Sequence, residues 1–279
     1  MGGLRKLRRR GQAGRPVPQP TEFELFFRQV VGEQAAVGEA AAASKRVRRR
    51  FGKELDNPKT SLVRLRQVWN QTAAVWGKIV FRERVEQEIK IIKMHGRINP
   101  SDNIASIGSG PGIHEAFIAK HLVPKGRVTC IDFSLKMSRL ARQTREKAQA
   151  NNMSVFARSG HRTGLPVASQ DKVLLIQTTA VDSIHWQPIL KEVRRIIKQG
   201  PQARFIFSFT TEDVEKTKEP VLKSLRENGF QKEIALKYAV SGKAKAIMII
   251  AKPVATKRLN LLCFCISGRY FYHSQQLFC

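Results

Sequence analysis

The sequence predicts an α/β chain built on a doubly wound, mostly parallel seven-stranded sheet with an antiparallel last strand. Three observations predict it. Short apolar runs alternate with amphipathic stretches through the middle of the chain, the pattern of strand–helix units that pack into a parallel sheet. Residues 103–112, Asn-Ile-Ala-Ser-Ile-Gly-Ser-Gly-Pro-Gly, pass from an apolar run into three alternate glycines, and a helix-compatible run follows at once. Two further apolar runs, 234–238 and 247–250, are joined through Ser241-Gly242 as a hairpin would be.

Strands are predicted at 104–107, 128–132, 154–157, 173–177, 204–209, 233–238 and 246–251. Helices are predicted at 62–94, 113–122, 135–151, 188–198 and 214–228. Ser134 stands where a helix N-cap is favoured, and Asn151-Asn152 closes that helix. Gly229 follows the last helix at a C-cap position. Right-handed crossovers place the carboxyl ends of the first strands on one edge. Trp69 and Trp76 fall at helical spacing in 62–94, where aromatics ordinarily pack a helix onto its sheet.

Ligands of open α/β sheets bind outside the carboxyl ends of the strands. Glycine is required where the backbone turns with positive φ, or where a ligand touches the main chain with no Cβ between. Gly108, Ser109, Gly110 and Gly112 therefore suit a nucleotide-like cofactor, although such a loop also suits an ordinary strand-to-helix turn. A dinucleotide fingerprint needs glycine at its sixth position, here Ile113, and a P-loop ends in Gly-Lys-Ser/Thr, here Gly112-Ile113-His114. The second strand ends in Asp132, 20 residues after Gly112. Its carboxylate is placed to accept ribose hydroxyls, or to cap the helix that begins near Ser134.

The formal net charge is +28, with basic residues in the body of the chain as well as at its start. Such charge favours contact with nucleic acid through counterion release, and says nothing of the fold. No apolar run reaches the length of a membrane span. Cys130 lies inside the second strand as a small buried hydrophobe. Cys263 and Cys265 are spaced C-x-C without a His/Cys cluster, so no metal site is expected and the thiols are expected to be reduced in an intracellular protein. Residues 1–55 read as a basic, largely disordered extension. Residues 21–43 in it are able to form a helix, and 45–50 are a second basic run. The main domain is expected at 56–254, with a Cys- and aromatic-rich tail at 255–279. A cytoplasmic location is expected, and the basic start leaves mitochondrial and nuclear addresses open.

With these strands read, the chain resembles a class I S-adenosylmethionine-dependent methyltransferase, most similar to the ubiquinone and menaquinone C-methyltransferase type. The landmarks are 104–112, 128–137, Leu165-Pro166 with 171–175, 190–198 and 246–253. The resemblance implies a Rossmann-like methyltransferase fold, S-adenosyl-L-methionine as cofactor and a methyl acceptor that is most simply a small molecule; the basic charge keeps an RNA or protein acceptor open, and Ser106 and His161 keep open a non-catalytic binding protein of the same fold. Gly108, Ser109, Gly110 and Gly112 would line the methionine and ribose part, and Asp132 would hold the ribose hydroxyls. Phe133 and Met137 would flank adenine, with His161 and Arg162 at its edge. Gln177 completes the cofactor set and, with Thr178, would face the acceptor. Ser106 stands where the family usually has an acid, and His161 where it often has an Asp. His185 is a possible base, though a lone loop histidine is more often merely exposed. No catalytic triad is visible. The Asn/Asp-Pro-Pro-Tyr acceptor tetrapeptide of some RNA methyltransferases is absent.

Overall fold

The computed structural model describes residues 19–32, 37–79, 82–177, 183–211, 214–241 and 244–254. Seven strands form one sheet: β1 Asn103–Ile107, β2 Arg127–Asp132, β3 Met153–Ala157, β4 Lys172–Ile176, β5 Arg204–Thr211, β6 Phe230–Ser241 and β7 Ala244–Pro253. Their order is β3-β2-β1-β4-β5-β7-β6. β1 pairs in parallel with both β2 and β4, and β4 in parallel with β5. β7 is antiparallel to β5 and to β6. The winding reverses between β1 and β4, so the crevice beyond Ile107 is the switch point where such sheets bind ligands. Each strand is found where the sequence predicts it, with ends moved by a few residues.

Eight helices flank the sheet: α1 Glu22–Val31, α2 Val37–Asp56, α3 Leu62–Ile79, α4 Arg82–His95, α5 Ile113–Phe117, α6 Leu135–Ala148, α7 Trp186–Ile196 and α8 Val214–Glu227. α5 runs on into a π-helical turn, Ile118–Leu122. Ile92, Ile104, Ile118, Leu174 and Ile206 belong to one buried core, on the face of α1, α4, α5 and α6. Val173, Phe205, Phe207, Val193 and Leu225 belong to the other, under α7 and α8. The central strands bury apolar residues on both faces, as a sheet covered on both sides requires.

The predicted helix 62–94 corresponds to two helices, α3 and α4. The helix predicted within 21–43 also ends early. α1 starts from Thr21 with a reciprocal capping box to Glu24 and stops at Gly32, whose φ of 83° a side chain would oppose. α1 lies in the span read as an extension, yet Phe23, Phe26, Phe27 and Val30 are all buried in the sheet's own core. That i, i+3, i+4, i+7 stripe is enough to bring the segment into the fold. No helix of the described residues is long and apolar enough to cross a membrane.

Candidate cofactor-binding site

The glycine loop is tied down by β2. The N–H groups of Gly108 and Ser109 both donate to the Ile131 carbonyl, at 2.6 and 3.2 Å. The Gly110 N–H donates to Asp132 Oδ2 at 2.9 Å. Asp132 Oδ1 accepts from the Ser134 N–H at 2.8 Å. The carboxylate thus joins the loop to the start of α6, whose N-cap is Ser134 itself. The helix-start reading of Asp132 is seen directly, and the same carboxylate also holds the glycine loop. Burial raises its carboxyl to about 6, against the pull of the two N–H groups.

The loop glycines differ in role. Gly108, Gly110 and Gly112 all have positive φ, at 68°, 54° and 73°. A Cβ on Gly112 would meet Met153 Cε at 2.8 Å and Ala141 Cβ at 3.0 Å, so this glycine lets α5 pack closely. A Cβ on Gly110 would meet nothing within 4 Å, so its open side is where a ligand can lie against the backbone. Gly112→Ala is therefore expected to destabilise by about 2 kcal/mol or more through overpacking added to a strained φ. Gly110→Ala is expected to cost about 1 kcal/mol in stability while obstructing the ligand. Urea unfolding of the two variants, with calorimetry of S-adenosylhomocysteine binding, checks the ranking; equal losses in both assays would refute it.

Beside the loop is a narrow cavity of about 60 Å³. Gly108, Phe133, Gly160 and His161 are in its walls, and Leu62, Leu65 and Trp69 of α3 line it as well. Phe133 and His161, expected beside adenine, thus line one cavity. His161 Nε2 is buried and has no hydrogen-bond partner. Burial and the neighbouring His185 both lower its pKa, which keeps it neutral and able to accept. His185, read as exposed, is in fact buried, and its Nε2 lies 2.8 Å from the Thr60 carbonyl; Thr60 precedes α3 and brings the 57–60 turn down onto it. Arg162 is exposed and Met137 is buried, and neither lines the cavity; Ser106, Ser109, Gly110, Gly112, Asp132 and Gln177 do not line it either. Thr178 lies outside the described residues. Asn70 of α3 latches the roof: its Oδ1 accepts from Ser134 Oγ at 2.8 Å and from the Lys136 N–H at 3.3 Å. A wider groove of about 610 Å³ lies between α8 and the start of β6, at the sheet edge opposite the glycine loop.

A second polar group lies toward the carboxyl ends of β4, β5 and β6, where the sequence alone indicates only Gln177. Gln177 has a φ of 52°; its amide donates to Ser208 Oγ and Tyr238 Oη, both at 3.2 Å, and accepts from Thr210. Tyr238 donates in turn to Glu88, a fully buried carboxylate on α4. Glu88 also lies 2.7 Å from His114 Nε2, in the first turn of α5, and accepts from Arg84 at 3.2 Å. Burial opposes the ionised form, but the bond from His114 and the charges of His114 and Arg84 hold Glu88 at about 2. His114 is raised by Glu88 despite its own burial. Burial and the adjacent Glu88 push the Tyr238 phenol up.

Ser106, too, has a partner that the sequence did not suggest. Its hydroxyl donates to Glu115 Oε1 at 2.6 Å, from β1 to the first turn of α5.

S-adenosylmethionine fits the residues present. An adenosyl group needs acceptors for two ribose hydroxyls and an exocyclic amine, and a bare backbone beside it. Asp132, the unpartnered His161 Nε2 and the open side of Gly110 supply these. The slot is narrow and is bounded on one side by the α3 residues Leu62, Leu65 and Trp69. Among the described residues no cluster could hold a metal ion.

A family model described as a methyltransferase domain matches residues 104–200, from β1 to just past α7. Solved structures with the same fold include the [4+2]-cyclase SpnF, at 13% identity and a TM-score of 0.53, covering 61% of this chain and 82% of that one. A geranyl diphosphate methyltransferase in complex with S-adenosylmethionine matches at 12% identity and a TM-score of 0.52, covering 65% and 90%. The YcgJ protein from Bacillus subtilis matches at 12% and 0.51, covering 61% and 100%. At these identities the likeness is one of fold, and the cyclase is a reminder that a fold does not fix a reaction. No curated protein matches the chain by sequence.

Proposed function

We propose that this chain, which carries a methyltransferase domain of the class I, S-adenosylmethionine-dependent kind, transfers the sulfonium methyl group to a small-molecule acceptor. The bound cofactor supplies a methyl already activated for displacement. The chain's own residues have to hold, orient and keep dry. Asp132 receives the ribose hydroxyls, and neutral His161 accepts from the adenine amine. Phe133 forms one side of the base slot, and Trp69 and Leu65 keep water from it. Gln177 and Tyr238 offer polar groups at the edge where the acceptor must sit in line behind the methyl, about 3–3.5 Å away. A base is needed only for an acceptor that must lose a proton.

The observation that carries the reading is the roof. α3 closes the slot over Gly108, Phe133 and His161, which suits a cofactor base held out of water. The order of motifs favours a small or lipidic acceptor of the quinone kind. The net charge of +28 favours a second reading, with RNA as acceptor.

Two measurements test the proposal. Calorimetry with S-adenosylhomocysteine is expected to give binding that weakens as pH falls below about 6. The sign follows from Asp132: hydroxyl donors favour its ionised form, so binding must expel the proton that the free protein holds below about 6. No binding at any pH would refute the cofactor assignment. Labelled methyl transfer into a small-molecule extract, and not into RNA at low salt, supports the small-acceptor reading; label found only in RNA overturns it.

A further inference from the structure

Glu115 is a buried acid without a structural reason to be one. It lies in the first turn of α5, among the buried apolar residues Ile113, Ala116 and Phe117. It is 1% exposed. Oε1 accepts from Ser106, while Oε2 is buried and has no hydrogen-bond partner. A carboxylate left half-satisfied out of water is costly, and an apolar residue would pack there without that cost. Its neighbours do not resolve the deficit. Ser106 fills one oxygen; burial first, and then the like charges of Glu88 and Asp132, push its pKa up, while the nearby His114 favours the ion but is bonded to Glu88.

The carboxylate lies just behind the glycine loop. Ser106, which holds it, is two residues before Gly108 on β1. Asp132 ends β2 and holds Gly110, and the loop leads from there back through Gly108 to β1, so an amino-acid end laid along this loop from a ribose at Asp132 runs toward Ser106. That end carries an ammonium, which needs an anion when taken out of water. Among the described residues, Glu115 is the carboxylate at that place with an unused oxygen.

We propose that Glu115, aligned by Ser106, is the acceptor for the cofactor's ammonium group. Position 106 has a hydroxyl and cannot supply a charge; the charge comes from α5 instead. The inference rests on the cofactor reading above.

The test uses calorimetry on the full chain with two ligands. S-adenosylhomocysteine carries the ammonium, and 5′-methylthioadenosine lacks the amino-acid end altogether. Glu115→Gln is expected to lose about tenfold or more in affinity for the first, the scale of a hydrogen bond to a charged group, and less than about twofold for the second. The double variant Ser106→Asp with Glu115→Gln returns a carboxylate to the β1 side and is expected to recover most of the loss. It also keeps the test decisive if the single variant folds poorly. Equal losses for both ligands, no loss for either, or no recovery in the folded double variant would overturn the assignment of Glu115. Failure of the wild-type chain to bind S-adenosylhomocysteine would instead overturn the cofactor reading beneath it.

Discussion

Asp132→Ala is expected to lower affinity for S-adenosylhomocysteine by about 100-fold or more. Two hydroxyl bonds to a charged acceptor disappear together, each worth about 1.5–3 kcal/mol. The variant also strips the Gly110 and Ser134 N–H groups of their acceptor, so the loop loses the brace that presents its open side. Adenosine, which shares only the ribose and base, should lose affinity to a similar degree. That separates this position from Glu115, whose effect is confined to ligands with an amino-acid end. Calorimetry with both ligands decides it, and unchanged affinity for either would remove Asp132 from the ribose role.

The second large effect concerns stability. Glu88→Gln is expected to destabilise the fold by about 3 kcal/mol, the cost of removing one partner from a buried ion pair and leaving the other uncompensated. Glu88 is lowered to about 2, so its contribution is complete above about 4.5 and is lost as pH falls through 2. His114 is raised from 6.5, so its contribution is complete below 6.5 and is lost as pH rises through the folded value. The difference between wild type and variant should therefore be greatest between about pH 4.5 and 6.5 and shrink at higher pH. Urea unfolding at pH 6 and pH 9 measures it; a difference that does not change with pH would mean that His114 is not the paired cation.

What could be read in the chain was contiguous. The strand, glycine loop and helix at 103–117 follow one another, and the aspartate closing the next strand stands at a fixed spacing. Local backbone demands made these visible. The glutamate on α4 and the tyrosine on β6 are 150 residues apart in sequence and meet only because β6 lies at the far edge of the sheet beside α4. No pattern of spacing announces such a contact. Glu115 did leave a signal: an acid beside His114 in a short helix whose other residues, Ile113, Ala116 and Phe117, are apolar. The serine at 106 could be noted as a departure, but its compensation nine residues later depended on which way α5 turns. α1 shows the opposite case. Its four buried residues repeat at helical spacing, yet the basic, glycine- and proline-rich stretch before them dominates the composition of 1–55. A helix was legible there, but averaging over the segment hid that its apolar stripe belongs to the core.

The asparagine on α3 gives the roof a consequence for turnover. Its side-chain oxygen accepts from the Ser134 hydroxyl and the Lys136 N–H at the start of α6, just beyond Asp132. Ser134 Oγ still accepts from the Met137 N–H when α3 lifts, so raising the cover breaks the two bonds to Asn70 and leaves the helix cap intact. Replacing Asn70 is therefore expected to quicken dissociation of S-adenosylhomocysteine in a stopped-flow measurement without touching any atom of the nucleoside.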